Sequence, residues 1–67
     1  MIRQGQIYKF EKKLYVVTAF SNYLNRIHII QQKGYVDEIL AKTVEESELI
    51  AEYPTWQQAV NSKEFKE

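Results

Sequence analysis

Apolar and polar residues alternate along the first half of the chain, which is the pattern of short β-strands. In the first of these runs Tyr8 and Phe10 fall on one face, while Ile7 and Lys9 fall on the other. The charged residues 11–13 predict a tight hairpin turn into the next run.

The second run, residues 14–20, is rich in the β-branched and aromatic side chains that favour strands. One face is predicted to carry Leu14, Val16, Thr18 and Phe20, and the other Tyr15, Val17 and Ala19. Because both faces are largely apolar, we predict that this strand is central in the sheet. A polar loop follows at 21–26, with Asn22 and Asn25 as turn residues.

The third run points Ile27 and Ile29 inward and His28 outward. Lys33-Gly34 then turns the chain into a fourth strand. Residues 38–48 fit both helical spacing and a two-residue period, and we predict a short strand followed by a helical turn.

The segment after Pro54 predicts a helix, because Thr55 is a favourable N-cap and Gln58 completes a capping box. The face that docks on the strands is predicted to hold Trp56, Ala59 and Val60. Residues 61–62 are expected to fray its end.

These patterns predict a single, mainly β domain over residues 1–67, with one C-terminal helix. The predicted strands are about 6–11, 14–20, 27–32, 35–38 and 49–53, and the predicted helix is about 55–62. Five short antiparallel strands at this spacing suggest a small closed or nearly closed barrel, since closure removes exposed edges. A chain of 67 residues has little surplus core, so a homodimer is an alternative to a monomer.

Composition excludes several kinds of site. The chain has no cysteine and one histidine, so it has no disulfide, no thiolate zinc site and no histidine cluster. We therefore expect neither a metal nor a cofactor. No apolar run suits a signal peptide or a membrane span, which predicts a cytoplasmic protein without membrane contact.

The charges are distributed unevenly although the net charge is zero. Residues 1–35 carry six basic residues against one acidic residue, and residues 36–67 carry three against eight. The basic half could bind an anionic partner. Alternatively, the two halves face each other in the fold and stabilise it weakly.

Basic residues in and beside the first turns are interleaved with tyrosines, including Tyr35. The candidate residues for binding nucleic acid or a protein partner are Lys9, Lys12, Lys13, Tyr15, Tyr23, Arg26, His28 and Lys33. Small barrels bind single strands by stacking bases on aromatic rings while cations follow the phosphates. The alternative is that the tyrosines belong to the core. No catalytic residues are predicted, because no nucleophile and base stand at a motif spacing.

The size and strand order resemble the SH3-like small barrels, which include many short proteins of bacterial phages and prophages. That resemblance implies a non-enzymatic binding module acting on a protein or on nucleic acid. Residues 1–8 are also similar to the first strand of the MazF/PemK toxin ribonucleases, with Val16-Val17 matching their next strand. This second resemblance implies, as an alternative, a reduced MazF-like ribonuclease that uses Arg3 or Arg26 with His28.

Overall fold

A computed structural model describes residues 1–21 and 25–66 of the chain. The strands in these ranges are β1 (Gln6–Phe10), β2 (Lys13–Phe20), β3 (Arg26–Gln31), β4 (Val36–Leu40) and β5 (Glu48–Glu52). The helices are α1 (Ala41–Glu45), α2 (Trp56–Val60) and α3 (Lys63–Lys66), and a 3₁₀ turn spans Gln32–Gly34. The mainly β fold is therefore confirmed, as is a short strand followed by a helical turn within 38–48.

The strands form one antiparallel sheet in the order β4-β3-β2-β1-β5. The predicted central position of β2 is confirmed. Closure into a barrel is not confirmed, since the described residues show no pairing between β4 and β5. Helix α1 connects these two edge strands and buries Val44 against one face of the sheet.

The β1–β2 hairpin turns on two residues with positive φ, Glu11 at 51° and Lys12 at 70°. Phe10 pairs directly with Lys13, so the loop is a two-residue connection. Positive φ at both central positions is the pattern of a type I′ turn, which suits the twist of the flanking strands. The predicted hairpin is confirmed without the Asn-Gly sequence that favours such turns.

A β-bulge at Thr18 moves the side chains at the end of β2 to the opposite face of the sheet. Val17 pairs with Ile29, and the next partners are Ala19 and His28, so Thr18 is the extra residue. After the bulge Phe20 lies opposite Ile27. The predicted grouping of Phe20 with Val16 is therefore wrong, because one inserted residue reverses the alternation.

One face of the sheet carries the larger of two apolar clusters, core 1. Its buried members are Tyr8, Tyr15, Val17, Ile27, Ile29 and Val44. The rings of Tyr8 and Tyr15 stack with their centroids 5.8 Å apart. The predicted inward orientation of Ile27 and Ile29 is confirmed.

The opposite face carries core 2, whose buried members are Ile7, Val16, Ala59 and Phe65. Helices α2 and α3 supply the last two. The predicted N-cap at Thr55 is confirmed, because the backbone N–H of Gln58 donates to Oγ1 of Thr55 over 3.3 Å. The Gln58 side chain accepts from the Thr55 hydroxyl over 3.4 Å, which differs from the backbone contact that a capping box requires. The prediction that residues 61–62 fray is wrong: Ser62 is buried, its hydroxyl donates to the Ala59 carbonyl over 2.6 Å, and the chain continues into α3.

The segment before β1 forms hydrogen bonds with β2 and with the residues that follow β5. The Gly5 N–H donates to the Val17 carbonyl over 2.9 Å, and the Tyr53 N–H donates to the Gly5 carbonyl over 3.0 Å. The Gln4 side chain donates to the Pro54 carbonyl and accepts from the Trp56 N–H, at 2.7 and 2.8 Å. These bonds fix the start of α2 against the start of β1.

Candidate binding surfaces

Three contacts between basic and acidic side chains of the described residues join the basic half of the sequence to the acidic half, and the one made by His28 is an ion pair only when the imidazole is protonated. Arg3 lies 2.9 Å from Glu52. Arg26 and His28 both contact Glu38, at 3.9 and 3.4 Å. These pairs support the interpretation that the two halves face each other. Two of the predicted binding residues, Arg26 and His28, are therefore already in contact with a carboxylate.

The remaining predicted lysines are brought together by the antiparallel topology. The end of β1, the start of β2 and the turn after β3 all lie at the same end of the sheet. We call this surface the basic end, and it comprises Lys9, Lys12, Lys13, Lys33 and Lys66. All five are exposed, and none has an ion pair within the ranges that the structure describes.

Lys66 reaches the basic end because α3 is bound to the turn after β3. The Gln32 side chain donates to the Phe65 carbonyl over 2.7 Å. A groove of about 450 Å³ runs between this turn and the helices. Lys33 and Lys66 stand beside it, and Ile30 and Val60 form part of its apolar wall. Lys66 was not among the predicted binding residues, because its position depends on the docking of α3.

The predicted tyrosines divide between the core and the surface. Tyr15 does not fit the binding role predicted for it, because it is buried in core 1, where its hydroxyl donates to Ser47 over 2.8 Å. Tyr23 lies outside the described residues. Tyr35 directly follows the 3₁₀ turn at the basic end and is 67% exposed. Among the described residues at this end, Tyr35 is the one that offers an exposed aromatic ring to a partner.

A second surface lies on β4 and the adjacent part of β3, on the face that carries core 2. We call it the β4 surface, and it comprises Arg26, His28, Val36, Glu38 and Leu40. The register places Arg26 opposite Leu40 and His28 opposite Glu38, so all five side chains share one face. Val36 is 73% exposed and Leu40 is 49% exposed, so helices α2 and α3 do not cover this part of the sheet.

Burial and hydrogen bonding shift the titration of three tyrosines and one carboxylate. Burial raises the pKa of the Tyr8 and Tyr15 hydroxyls, since the charged phenolate is disfavoured in core 1. A hydrogen bond from the Tyr53 hydroxyl to Glu64 lowers the pKa of Glu64 and raises the pKa of Tyr53. Both effects lie outside the basic end and the β4 surface.

The described ranges hold no group of three or more metal-ligating side chains. None of the helices in those ranges has the length and apolar character needed to cross a bilayer. Comparison of the chain with protein-family models, with curated proteins and with solved structures found no match.

Proposed function

We propose that this chain is a small non-enzymatic binding module that contacts single-stranded nucleic acid through the basic end. The observation that carries the proposal is the collection of five exposed lysines at one end of the sheet, none of which forms an ion pair among the described residues. Two exposed carboxylates, Glu11 and Glu48, lie at the same end, and Glu48 stands opposite Lys9 in the register. The arginines and the histidine of the basic half contact carboxylates instead.

The chemistry of the basic end suits a phosphate backbone with unstacked bases. Lysine ammonium groups bind phosphates as mobile point charges, and this binding weakens with salt because counterions are released. The exposed ring of Tyr35 stands beside Lys33 and could stack on one base, which is worth about 1–3 kcal/mol. One ring and five lysines predict weak binding without sequence preference.

We also propose that the fold belongs to the class of SH3-like small barrels. Its support is the number of strands, their antiparallel meander from β1 to β4, and the return of β5 to pair with β1. An origin in a phage or prophage is part of the same resemblance and stays a prediction.

The test is a titration of the protein with fluorescently labelled oligothymidine at two salt concentrations. Lys12→Ala/Lys13→Ala is expected to weaken binding and to reduce the salt slope by about 1.4, because each lysine that neutralises a phosphate contributes about 0.7 to that slope. Lys42→Ala is the control, because it removes an exposed lysine beside Leu40 and Asn25, at the other end of the sheet. It should leave the slope unchanged.

Absence of binding at low salt would refute the nucleic-acid contact. That outcome would leave a protein partner as the proposal. Binding that the Lys12→Ala/Lys13→Ala protein retains in full, or that the control variant loses to the same extent, would refute the placement of the contact at the basic end. Circular dichroism of each variant establishes that the fold is retained before binding is compared.

A second candidate function is the reduced MazF-like ribonuclease. The observation that favours it is Glu38, which holds the Arg26 and His28 side chains together on an open sheet face. A carboxylate and an imidazole can exchange protons with a ribose hydroxyl, and a guanidinium can stabilise phosphate charge. Discrete cleavage of a long unstructured RNA that Arg26→Ala abolishes and Lys42→Ala retains would establish this function in place of the first.

A further inference from the structure

We infer that the β4 edge binds an extended basic segment of a partner protein, which adds to the sheet as a sixth strand. Strand addition to an exposed edge is a common mode of peptide recognition, in which backbone bonds give affinity and alternate side chains give specificity. The inference does not depend on the proposed nucleic-acid contact, because it concerns a different surface.

The two edges of the sheet differ in regularity. On the β5 side, Ile7 pairs with Ala51 and Tyr8 pairs with Leu49, so a bulge at Ile50 interrupts the register. On the β4 side the register is continuous, from Arg26 opposite Leu40 to Ile30 opposite Val36. Since bulges protect edges from further pairing, β4 is the edge suited to accept another strand.

The backbone of β4 has a hydrogen bond that a partner strand could replace. The Glu38 N–H donates to Oδ1 of Asp37 over 2.7 Å, and this bond is exposed. A neighbouring side chain thus satisfies a donor in the middle of the strand. A partner's carbonyl could take its place and leave Oδ1 of Asp37 open to a cation, while Oδ2 still accepts from the Gln31 side chain over 3.4 Å.

The side chains of β4 specify the chemistry of that partner. Val36 and Leu40 are exposed apolar groups on one face, with Glu38 between them. Asp37 lies on the other face and is exposed. Glu38 already contacts Arg26 and His28 of β3, at 3.9 and 3.4 Å, so a partner's cation would share this carboxylate with them. A strand aligned with β4 would place apolar residues against Val36 and Leu40 and cations against the two carboxylates.

A second copy of this chain fits the edge poorly. Two β4 strands paired antiparallel about their centres would place Glu38 opposite its own copy. Like charges directly opposite each other destabilise a strand pair. The charge of the edge therefore favours a basic partner over self-association.

The test uses a labelled peptide whose central sequence is Val-Val-Lys-Lys-Val, which is the antiparallel complement of residues 36–40. Its binding to the whole chain is followed by the amide chemical shifts of the isotope-labelled protein. Shifts confined to β4 and β3 are expected. Glu38→Lys should weaken binding at least tenfold, and Glu48→Lys, the matched charge reversal on the β5 edge, should leave binding unchanged.

Val36→Ser provides a second variant that retains the fold, because the Val36 side chain is 73% exposed. It too is expected to weaken peptide binding. The inference would be overturned by shifts on β5, by equal binding of a peptide with glutamates in place of both lysines, or by binding that Glu38→Lys and Val36→Ser leave intact. A dimer of the chain that Val36→Ser dissociates would overturn it in favour of a second copy.

Discussion

Gly5 occupies a position that no other residue can take without moving the backbone. Its φ is +93°, and a Cβ built on it would lie 2.3 Å from the Tyr53 carbonyl oxygen. Gly5→Ala should therefore lower the free energy of unfolding by about 3 kcal/mol, from the unfavourable φ and from overpacking together. Urea denaturation measures this loss.

Gly34→Ala is the matched control for that prediction. Gly34 has a similar φ of +82°, but nothing lies within 4 Å of the position of its Cβ. The expected loss is about 1 kcal/mol, from the backbone conformation alone. Equal losses in the two variants would show that the contact with the Tyr53 carbonyl is not the cause.

The buried hydroxyl of Tyr15 makes stability sensitive to high pH. Burial raises its pKa above the ordinary value of 10.0, so the folded chain binds this proton more tightly than the unfolded chain. The resulting stabilisation is complete below about pH 10 and is lost as the pH rises through the folded pKa. Tyr15→Phe should reduce the decline of the unfolding free energy above pH 10, and an identical decline in both proteins would contradict this.

At the scale of elements, α2 depends on two polar caps that come from different parts of the sequence. Thr55 accepts from the Gln58 N–H, and Gln4 accepts from the Trp56 N–H. Thr55→Ala should cost about 1 kcal/mol, the usual cost of losing an N-cap. Thermal unfolding followed by circular dichroism measures it.

The Thr55→Ser variant is the control for that cap. Serine retains the hydroxyl and should restore most of the stability lost in the alanine variant. If Thr55→Ala left the transition unchanged, the Gln4 side chain would be sufficient to hold the helix start.

Local patterns predicted the strands, the hairpin turns and the cap, because each depends on neighbours in sequence. Alternation placed Ile27 and Ile29 in core 1, where the structure has them. It failed at Thr18, since a bulge depends on how two strands register and leaves no mark in the alternation itself. The helical turn between β4 and β5 was predicted from helical spacing within residues 38–48, but whether these two edge strands pair could not be predicted, since it depends on the whole sheet.

The candidate site was harder to predict than the fold. Lysines at turns were correctly assigned to the surface, since charged side chains rarely become buried. Tyrosine suits both environments, so sequence could not distinguish buried Tyr15 from exposed Tyr35. The pairing of Arg26 and His28 with Glu38 required the register of β3 and β4.

At the scale of the whole molecule, opposite charges in the two halves meet in exposed ion pairs. Their side chains are 38–66% exposed, and such pairs are typically worth at most about 1 kcal/mol each. Raising sodium chloride from about 0.05 to 0.5 M, which shortens the screening length severalfold, should lower the unfolding free energy by less than about 1 kcal/mol. Urea, which is uncharged, allows this measurement at both salt concentrations.

A larger loss would mean that long-range attraction between the halves contributes to the fold beyond the three pairs. Arg3→Ala tests the strongest of them, since Arg3 and Glu52 approach to 2.9 Å. Its effect on stability should disappear at the higher salt concentration.

The place of β1 between β2 and β5 has a consequence during synthesis on the ribosome. The hairpin partner β2 follows β1 after two residues, whereas β5 is translated about forty residues later. At about 5–20 residues per second, the other side of β1 waits roughly 2–8 seconds for its neighbour. Throughout that interval one edge of β1 has unpaired backbone groups that other polypeptides can contact.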